Sequence, residues 1–343
     1  MKSVYQLNVC QPGTQNKATT MRLVLYGDTH FHPWQEADRP DRWKEMLRVL
    51  NIVHETAIRE KADLIVHLGD FFHGKRTVRS DVLARAQSLF AEMGEIYNSD
   101  IPQILVAGNH DFFRGHCKLD IFNHVPNVTV WHQTIPYLDY PEDVRILIAP
   151  YGLTDLPEHT DYDILLTHSD ICNGHVANGI HTATSTLPTN LLENIGRRKI
   201  CFNGHYHIPQ TITAHGHVPV VCVGAPYHIN FSDTDGGARG IIVVTITRER
   251  CSYKRIWLNR FPHFYRKRTK DTRPKDFVQE ELQDISDVAT VVHDSADVIG
   301  GSNMEDAIEQ YTLDMYKGQQ DDEYVSEVGI KLYRGEGGGK DED

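Results

Sequence analysis

The sequence predicts an α/β protein built from two sheets packed face to face with helices outside, and three observations lead there. Short apolar runs alternate with amphipathic helical stretches up to about residue 125, and short β-branched runs separated by turn signals follow. Five of the apolar runs also end on residues that bind metal or move protons. Val24-Leu25-Tyr26-Gly27 leads into Asp28 and His30, and Leu64-Ile65-Val66-His67-Leu68-Gly69 into Asp70. Leu105-Val106-Ala107-Gly108 leads into Asn109, His110 and Asp111, Ile164-Leu165-Leu166-Thr167 into His168, and Ile200-Cys201-Phe202-Asn203-Gly204 into His205 and His207. Open α/β sheets gather their chemistry beyond the carboxyl ends of the strands, so five such ends bring these side chains together.

Taken in order, residues 1–20 are a polar extension punctuated by Pro12-Gly13, and Met21-Arg22-Leu23-Val24 opens the first strand. A helix spans about Asp41 to Lys61, with Trp43, Met46, Leu47, Leu50, Val53 and Ala57 on one face at three- and four-residue spacing. A strand from Asp63 to Gly69 follows. A second helix opens at Ser80, read as its cap, and carries Leu83, Ala86, Leu89, Phe90, Met93 and Tyr97 along one side. Alternation of this kind implies parallel pairing. Strands are then expected at Val128–His132, Val144–Pro150, Asp163–Thr167, Lys199–Asn203, Gln210–His215 and Val218–Gly224, with hairpins prominent and a closing hairpin from Gly240 to Leu258.

The main domain is read as 21–262. A basic-to-acidic linker is expected at 263–300, a pair of short helices available to a partner at 301–335, and a Gly-rich charged tail, expected to be disordered, at 336–343.

With 343 residues, 40% hydrophobic and 24% charged, the chain can bury a sizeable core. No stretch approaches the length of a membrane span and the N-terminus lacks the apolar core of a signal peptide, so the expected location is the cytoplasm. Six scattered cysteines without a C-x-x-C pair fit reduced thiols rather than a disulfide frame or a thiolate zinc site. The net charge of -12 argues against unaided, non-specific nucleic-acid binding, which rests on phosphate neutralisation by Lys and Arg. A local basic stretch from Lys254 to Lys275 runs against that sum, and reads either as a solvated linker or as a phosphate-tracking surface.

Asp28, Asp70, Asn109, His30, His168, His205 and His207 offer two carboxylates, an amide oxygen and four imidazoles, a donor set suited to manganese, iron or zinc and poor for calcium. Two such cations, about 3.5–4 Å apart, clamp a phosphoryl centre and make water nucleophilic near neutral pH, so phosphoester hydrolysis follows. Any one of these residues is more often structural. Their joint occurrence, each at a strand end, is specific. His54, His67, His116, His124, His132, His159, His175 and His181 are read as surface or satisfied core residues.

Gly27-Asp28-x-His30, Gly69-Asp70, Gly108-Asn109-His110-Asp111, His168 and Gly204-His205-x-His207 resemble the five motifs of the calcineurin-like metallophosphoesterases, over Met21 to about Leu258. The resemblance implies a four-layer αββα sandwich. It further implies one metal on Asp28, His30, Asp70 and His207 and another on Asp70, Asn109, His168 and His205. His110, oriented by Asp111, would protonate the leaving oxygen or steady the transition state.

Protein phosphatases of that superfamily carry Gly-Asp-x-x-Asp-Arg-Gly, whereas this chain has Gly69-Asp70-Phe71-Phe72-His73-Gly74-Lys75-Arg76. The latter resembles the nuclease subunit of SbcCD-type double-strand-break-repair complexes, as do Gly224-Ala225-Pro226, Asn230-Phe231-Ser232 and Arg239-Gly240, although Ala225 stands where that family often has Ser. Length and the short C-terminal helices resemble the bacteriophage recombination-endonuclease subunits. The resemblance implies that His73 contacts the scissile phosphate and that two divalent ions, manganese before iron, zinc or magnesium, support exonucleolytic cleavage of duplex ends and endonucleolytic cleavage of single strands. It also implies DNA and an SbcC-like coiled-coil ATPase as partners, with a homodimer inside a heterotetramer. Rival readings are a phosphomonoesterase or cyclic-nucleotide phosphodiesterase on the same scaffold, and a non-catalytic protein-recruiting scaffold, which predicts eroded donors.

Overall fold

The structure is a computed structural model and describes residues 20–32, 43–97, 100–132, 137–140, 144–152, 162–177, 180–187, 191–192, 195–213, 218–229, 233, 238–247, 250–258, 261–265 and 277–278. In chain order the elements are β1 (Met21–Tyr26), α1 (Trp43–Glu60), β2 (Leu64–Leu68), α2 (Ser80–Tyr97), β3 (Gln103–Val106), β4 (Phe112–Phe113), β5 (His116–Cys117), a 3-10 turn (Lys118–Phe122) and β6 (Val128–Trp131). There follow β7 (Tyr137–Tyr140), β8 (Val144–Ala149), β9 (Tyr162–Thr167), β10 (His175–Ala177), β11 (Ile180–His181), β12 (Ile195–Asn203), β13 (Gln210–Thr213), β14 (Pro219–Cys222), β15 (Gly240–Ile246), β16 (Cys251–Trp257), β17 (Phe264–Tyr265) and β18 (Phe277–Val278).

Two six-stranded mixed sheets result, in the orders β16-β15-β1-β2-β3-β6 and β13-β14-β12-β9-β8-β7. In the first, β1, β2, β3 and β6 are parallel, as the alternation predicts, and β15 and β16 close the edge as the expected hairpin. The second departs from the hairpin-rich expectation. Its central strands β14, β12, β9 and β8 are parallel, and only the edge strands β13 and β7 pair antiparallel. The reason lies in runs such as Ile164-Leu165-Leu166, which are apolar at every position because both faces are buried, the pattern of a parallel central strand.

Side-chain alternation sorts these strands into three apolar layers. Val24, Tyr26, Ile65, Leu105, Ile241 and Val243 face α1 and α2. Their neighbours Leu23, Leu25, Val66, Val106, Ile242 and Val244 meet Ile146, Ile148, Ile164, Leu166 and Phe202 between the sheets. Leu147, Leu165, Cys201 and Val220 form the third layer, against Ile171, Tyr206 and the helical pair Leu191 and Leu192. The predicted four-layer sandwich is therefore present in its described parts.

The helices explain themselves locally. α1 buries Met46, Val49, Leu50, Val53 and Ala57 at helical spacing. It stops where Lys61 turns left-handed, with Ala62 N–H donating to Ala57 and Lys61 N–H to Ile58, a Schellman ending without glycine. Ser80 proves to be the first residue inside α2 rather than its cap: the Arg79 carbonyl accepts the first helical bond, from Leu83 N–H. Contacts divide the chain into one unit of Met1–Ile229 with Asp233–His263 and another of Asn230–Ser232 with Phe264–Asp343. Within the span read as linker, β17 pairs parallel with β18, both aromatic or β-branched. Residues 1–19 of the polar extension, the His215-Gly216 turn, the C-terminal helix pair, the tail and most of the linker lie outside the described residues, as do Cys10 and His159, while His124 is exposed, as read. Cys117, Cys172, Cys201, Cys222 and Cys251 are free thiols. Among the described residues no helix is long and apolar enough to cross a membrane.

An aromatic knot under α2 braces the loop after β2. Phe122 lies against Phe71, Phe72 and Phe90 with ring centroids 5.2, 6.1 and 4.8 Å apart. Phe122→Ala is expected to lower stability by about 3–5 kcal/mol, read from the urea midpoint. A change under about 1 kcal/mol would show that the knot is not packed as described.

Candidate metal centre

Each predicted donor sits where a strand runs out. Asp28 and His30 follow β1, Asp70 follows β2, Asn109 and His110 follow β3, His168 follows β9, and His205 and His207 follow β12. Main-chain bonds sew these ends together. Asp28 N–H donates to Gly69, His30 N–H to Asp70, Tyr151 N–H to Ala107 across the two sheets, and Gly204 N–H to Thr167.

The approach is so close that side chains are excluded at particular positions. A Cβ on Gly108 would lie 2.2 Å from Asp70 Oδ1 and 2.8 Å from His168 Nε2. One on Gly204 would lie 2.0 Å from the Leu68 carbonyl oxygen. These glycines precede donors because the neighbouring strand end occupies their side-chain space. Asp28, His30, Asp70 and His205 moreover take positive φ values of 51°, 45°, 57° and 69°. Strain of this kind at non-glycine residues concentrates where geometry serves a site.

Two donor groups result, Asp28 with His30 and His207, and Asp70 with His168 and His205; within each, the donor atoms lie within 4.8 Å of one another. Asp70 joins them, with Oδ1 3.3 Å from His168 Nε2 and Oδ2 3.8 Å from His30 Nε2. Asn109 Oδ1 lies 3.1 Å from His168 Nε2. Asp28, His30, Asp70 and His168 are buried, while Asn109, His205 and His207 are half-buried, so the base is closed and the rim open.

Three features fit cations here. Both carboxylate oxygens of Asp28 are buried without a hydrogen-bond partner, and burial raises its pKa to about 6. His30 Nε2 and His207 Nε2 face each other at 3.0 Å, about the spacing of two imidazoles bound to one ion at roughly 2.1 Å each. The Asn109 oxygen faces acceptors only, the two Asp70 oxygens, His168 Nε2 and His205 Nδ1, all within 3.1–3.3 Å. Turning the amide over would satisfy it with protons, and a cation would satisfy it as it stands.

Outer partners select which ring nitrogen is free. His168 Nδ1 is 2.7 Å from the Leu68 carbonyl, to which it donates, which turns Nε2 inward. Burial opposes charge on this ring, yet Asp70 beside it raises its pKa to about 9, and a cation would displace that proton. His207 Nδ1 lies 3.0 Å from Asp233 Oδ1, and His205 Nε2 lies 2.8 Å from Asp170 Oδ1. Despite burial, the imidazoles hold both acids low, and Arg239 adds to the effect on Asp233. Burial and the neighbouring imidazoles hold His30 well below its ordinary value, keeping the ring neutral with one nitrogen free to accept.

The sequence reading missed Asp170 and Asp233. Asp170 sits two residues beyond His168 and had that signal; Asp233, reached through a long connection, had none local to His207.

Asp111 requires correction. Expected to orient His110, its buried carboxylate instead accepts from the backbone N–H groups of Gly108, Phe71 and Phe72 at 2.9, 3.2 and 3.1 Å. His110 Nδ1 lies against the His73 carbonyl, and His110 Nε2 is 4.0 Å from Asp70 Oδ2. An aspartate next in sequence to the histidine thus serves the loop backbone, accepting three main-chain hydrogen bonds. His73 Nδ1 is 3.3 Å from His30 Nδ1, and His30, His73 and His110 form a further donor group. Of the histidines read as structural, His54 contacts the Leu50 carbonyl and Gln103, His67 meets Thr29, and His132 meets Asp120.

Gly108→Ala is expected to displace the Asp70 carboxylate and abolish manganese binding, measured by isothermal titration, while the protein still melts cooperatively. Wild-type affinity in that variant would mean that the strand ends are not this close.

A family model described as calcineurin-like phosphoesterase matches residues 21–209. The chain is similar to the DNA double-strand break repair protein Mre11 of Haloferax volcanii, 26% identical over 269 residues, 76% of this chain and 55% of that protein. It is also similar to the protein of the same name from Halobacterium salinarum, 28% identical over 170 residues, 49% of this chain and 40% of that one. The chain thus spans about half the length of these curated relatives. Among solved structures, a dimetal phosphatase from Danio rerio aligns with a TM-score of 0.45 and 11% identity over 68% of this chain and 95% of that one. GAP50, the anchor in the inner membrane complex of Plasmodium, aligns with a TM-score of 0.43 and 11% identity over 69% and 84%. The family match covers more than half of the chain and takes in every donor from Asp28 to His207, and the chain belongs to the calcineurin-like phosphoesterase family.

Proposed function

We propose that the chain hydrolyses DNA phosphodiesters, as the nuclease subunit of an SbcCD-type recombination or repair complex, with manganese as the working metal. The observation that carries this reading is the pair of donor groups joined by Asp70, with the buried His110 and the half-buried His73 beside them. Asp28, His30, Asp70 and His207 would hold one cation, and Asp70, Asn109, His168 and His205 the other. Two such cations supply Lewis acidity toward a phosphate and a nucleophile available at neutral pH.

The remaining work belongs to the chain. His110 keeps its Nδ1 proton on the His73 carbonyl, so an imidazolium in this pose has its Nε2 proton to give to a leaving oxygen. His73, half-buried beside His30, is placed to meet a phosphate oxygen. Asp170 and Asp233 hold two of the imidazoles in register. The Haloferax and Halobacterium proteins carry DNA double-strand break repair in their names, and that supports DNA over a small phosphoester. We place an SbcC-like coiled-coil ATPase beside this chain, in a heterotetramer built on its homodimer in the cytoplasm. A partner of that kind would supply much of the duplex-binding surface, so a chain of net charge -12 need not be basic overall.

Digestion of end-labelled single- and double-stranded DNA in manganese versus magnesium tests the reading, with cleavage expected in manganese. Release of p-nitrophenol from simple esters without cleavage of DNA, with or without an ATPase partner, favours the phosphomonoesterase or cyclic-nucleotide reading. His110→Ala is expected to keep its manganese by elemental analysis and lose about 100- to 10,000-fold in rate, whereas Asp70→Ala loses the metal outright. Metal loss in His110→Ala would place that ring among the ligands, with His30 and His73.

A further inference from the structure

We propose that Lys118 is a positioning residue for His110, acting as a tethered cation that locks two loops of the site together. The inference rests on the reading above, in which His110 assists departure of the leaving oxygen. Lys118 Nζ donates to the carbonyls of Gly74 at 2.6 Å and Lys75 at 2.8 Å, and to the carbonyl of His110 itself. An ammonium has three N–H groups, and all three are spent on main-chain oxygens.

The arrangement ties the imidazole down from both sides. His73, Gly74 and Lys75 send three successive carbonyls toward the His110 loop: the first meets His110 Nδ1, the other two meet Lys118. Carbonyl dipoles aimed at one place repel each other, and a centred positive charge offsets that repulsion where a neutral donor would not. Lys118 reaches the spot because β4 and β5 form a hairpin that returns the chain, closed by Lys118 N–H donating to the Asp111 carbonyl at 2.8 Å. Asp111 then fixes the Phe71–Phe72 side of the same loop through its carboxylate. Between them, an anion that collects N–H groups and a cation that collects C=O groups set the peptide carrying His110 and the carbonyl that aims its ring. Without the ammonium, the carbonyls of Gly74, Lys75 and His110 lose the donor they share, and with it the tie that keeps the His73 oxygen on His110 Nδ1.

A proton donor matters most when the leaving oxygen is a poor one, and this separates misplacement of His110 from general damage. The test compares thymidine 5′-phenyl phosphate with thymidine 5′-(p-nitrophenyl) phosphate in manganese, for wild type, Lys118→Met and, as reference, His110→Asn. Lys118→Met is expected to keep wild-type manganese content and KM. Its kcat should fall about 100-fold on the phenyl ester and less than about fivefold on the nitrophenyl ester, the pattern of His110→Asn. Equal losses on both esters, or no loss, overturn the proposal. Should Lys118→Met fail to fold, Lys118→Arg decides, since it keeps the charge but spreads its donors over a planar fork. A smaller loss confined to the phenyl ester supports the proposal, and parity with wild type overturns it. A wild type inert toward both esters and DNA instead removes the hydrolase reading beneath it.

Discussion

The crowding of acceptors around Asp70 governs the rest of the molecule. Two carboxylates, an amide oxygen and several imidazole lone pairs meet at a closed base, with no donor supplied to Asp28 and with imidazole nitrogens 3.0 Å apart. A protein interior tolerates such a set only if protons or cations are shared among it. Protons answer in part, as the raised pKa values of Asp28 and His168 indicate. Divalent cations answer more fully, because each satisfies several acceptors at once.

Bringing the acceptors this close is what the sandwich does. Parallel strands in both sheets run out at the same region, and the space for side chains at Gly108 and Gly204 is given over to Asp70, His168 and the Leu68 carbonyl. Left-handed backbone at Asp28, His30, Asp70 and His205 is part of the same constraint. The aromatic knot of Phe71, Phe72, Phe90 and Phe122 and the layers on either face of β1–β3 resist the relaxation that would undo it. Rigidity of the core and strain at the strand ends are two sides of one design, since strain persists only where the surroundings over-determine it.

This division explains what could be read in advance. Buried strands announce themselves through continuous apolar runs, and donors through their place after those runs, so β1, β2, β3, β9 and β12 and the residues of the two donor groups were legible. Residues that act through the fold were not. Asp233 meets His207 only because the chain returns to it, and Lys118 acquires a role from three carbonyls that carry no sequence signal. Asp111 misled for the same reason: adjacency to His110 suggested a partner, but the carboxylate is spent on Gly108, Phe71 and Phe72. In the second sheet, short spacing and turn signals point to hairpins, whereas Ile164–Thr167 and Ile200–Asn203 are buried on both faces and their strands pair parallel.

Electrostatics also decides how an acidic chain could serve a polyanion. The two donor groups are acceptor-rich, and the nearby Lys118 ammonium is saturated by main-chain oxygens rather than offered to a ligand. A phosphate entering a lining of that kind meets repulsion unless cations already sit there, and it then sees a local field opposite in sign to the chain's net charge. Affinity in such a centre comes from the ions and selectivity from the rim, where the half-buried His73, Asn109, His205 and His207 stand. Under the proposed nuclease reading, that separation would put whatever distinguishes a long nucleic acid from a small ester on the open side of the site.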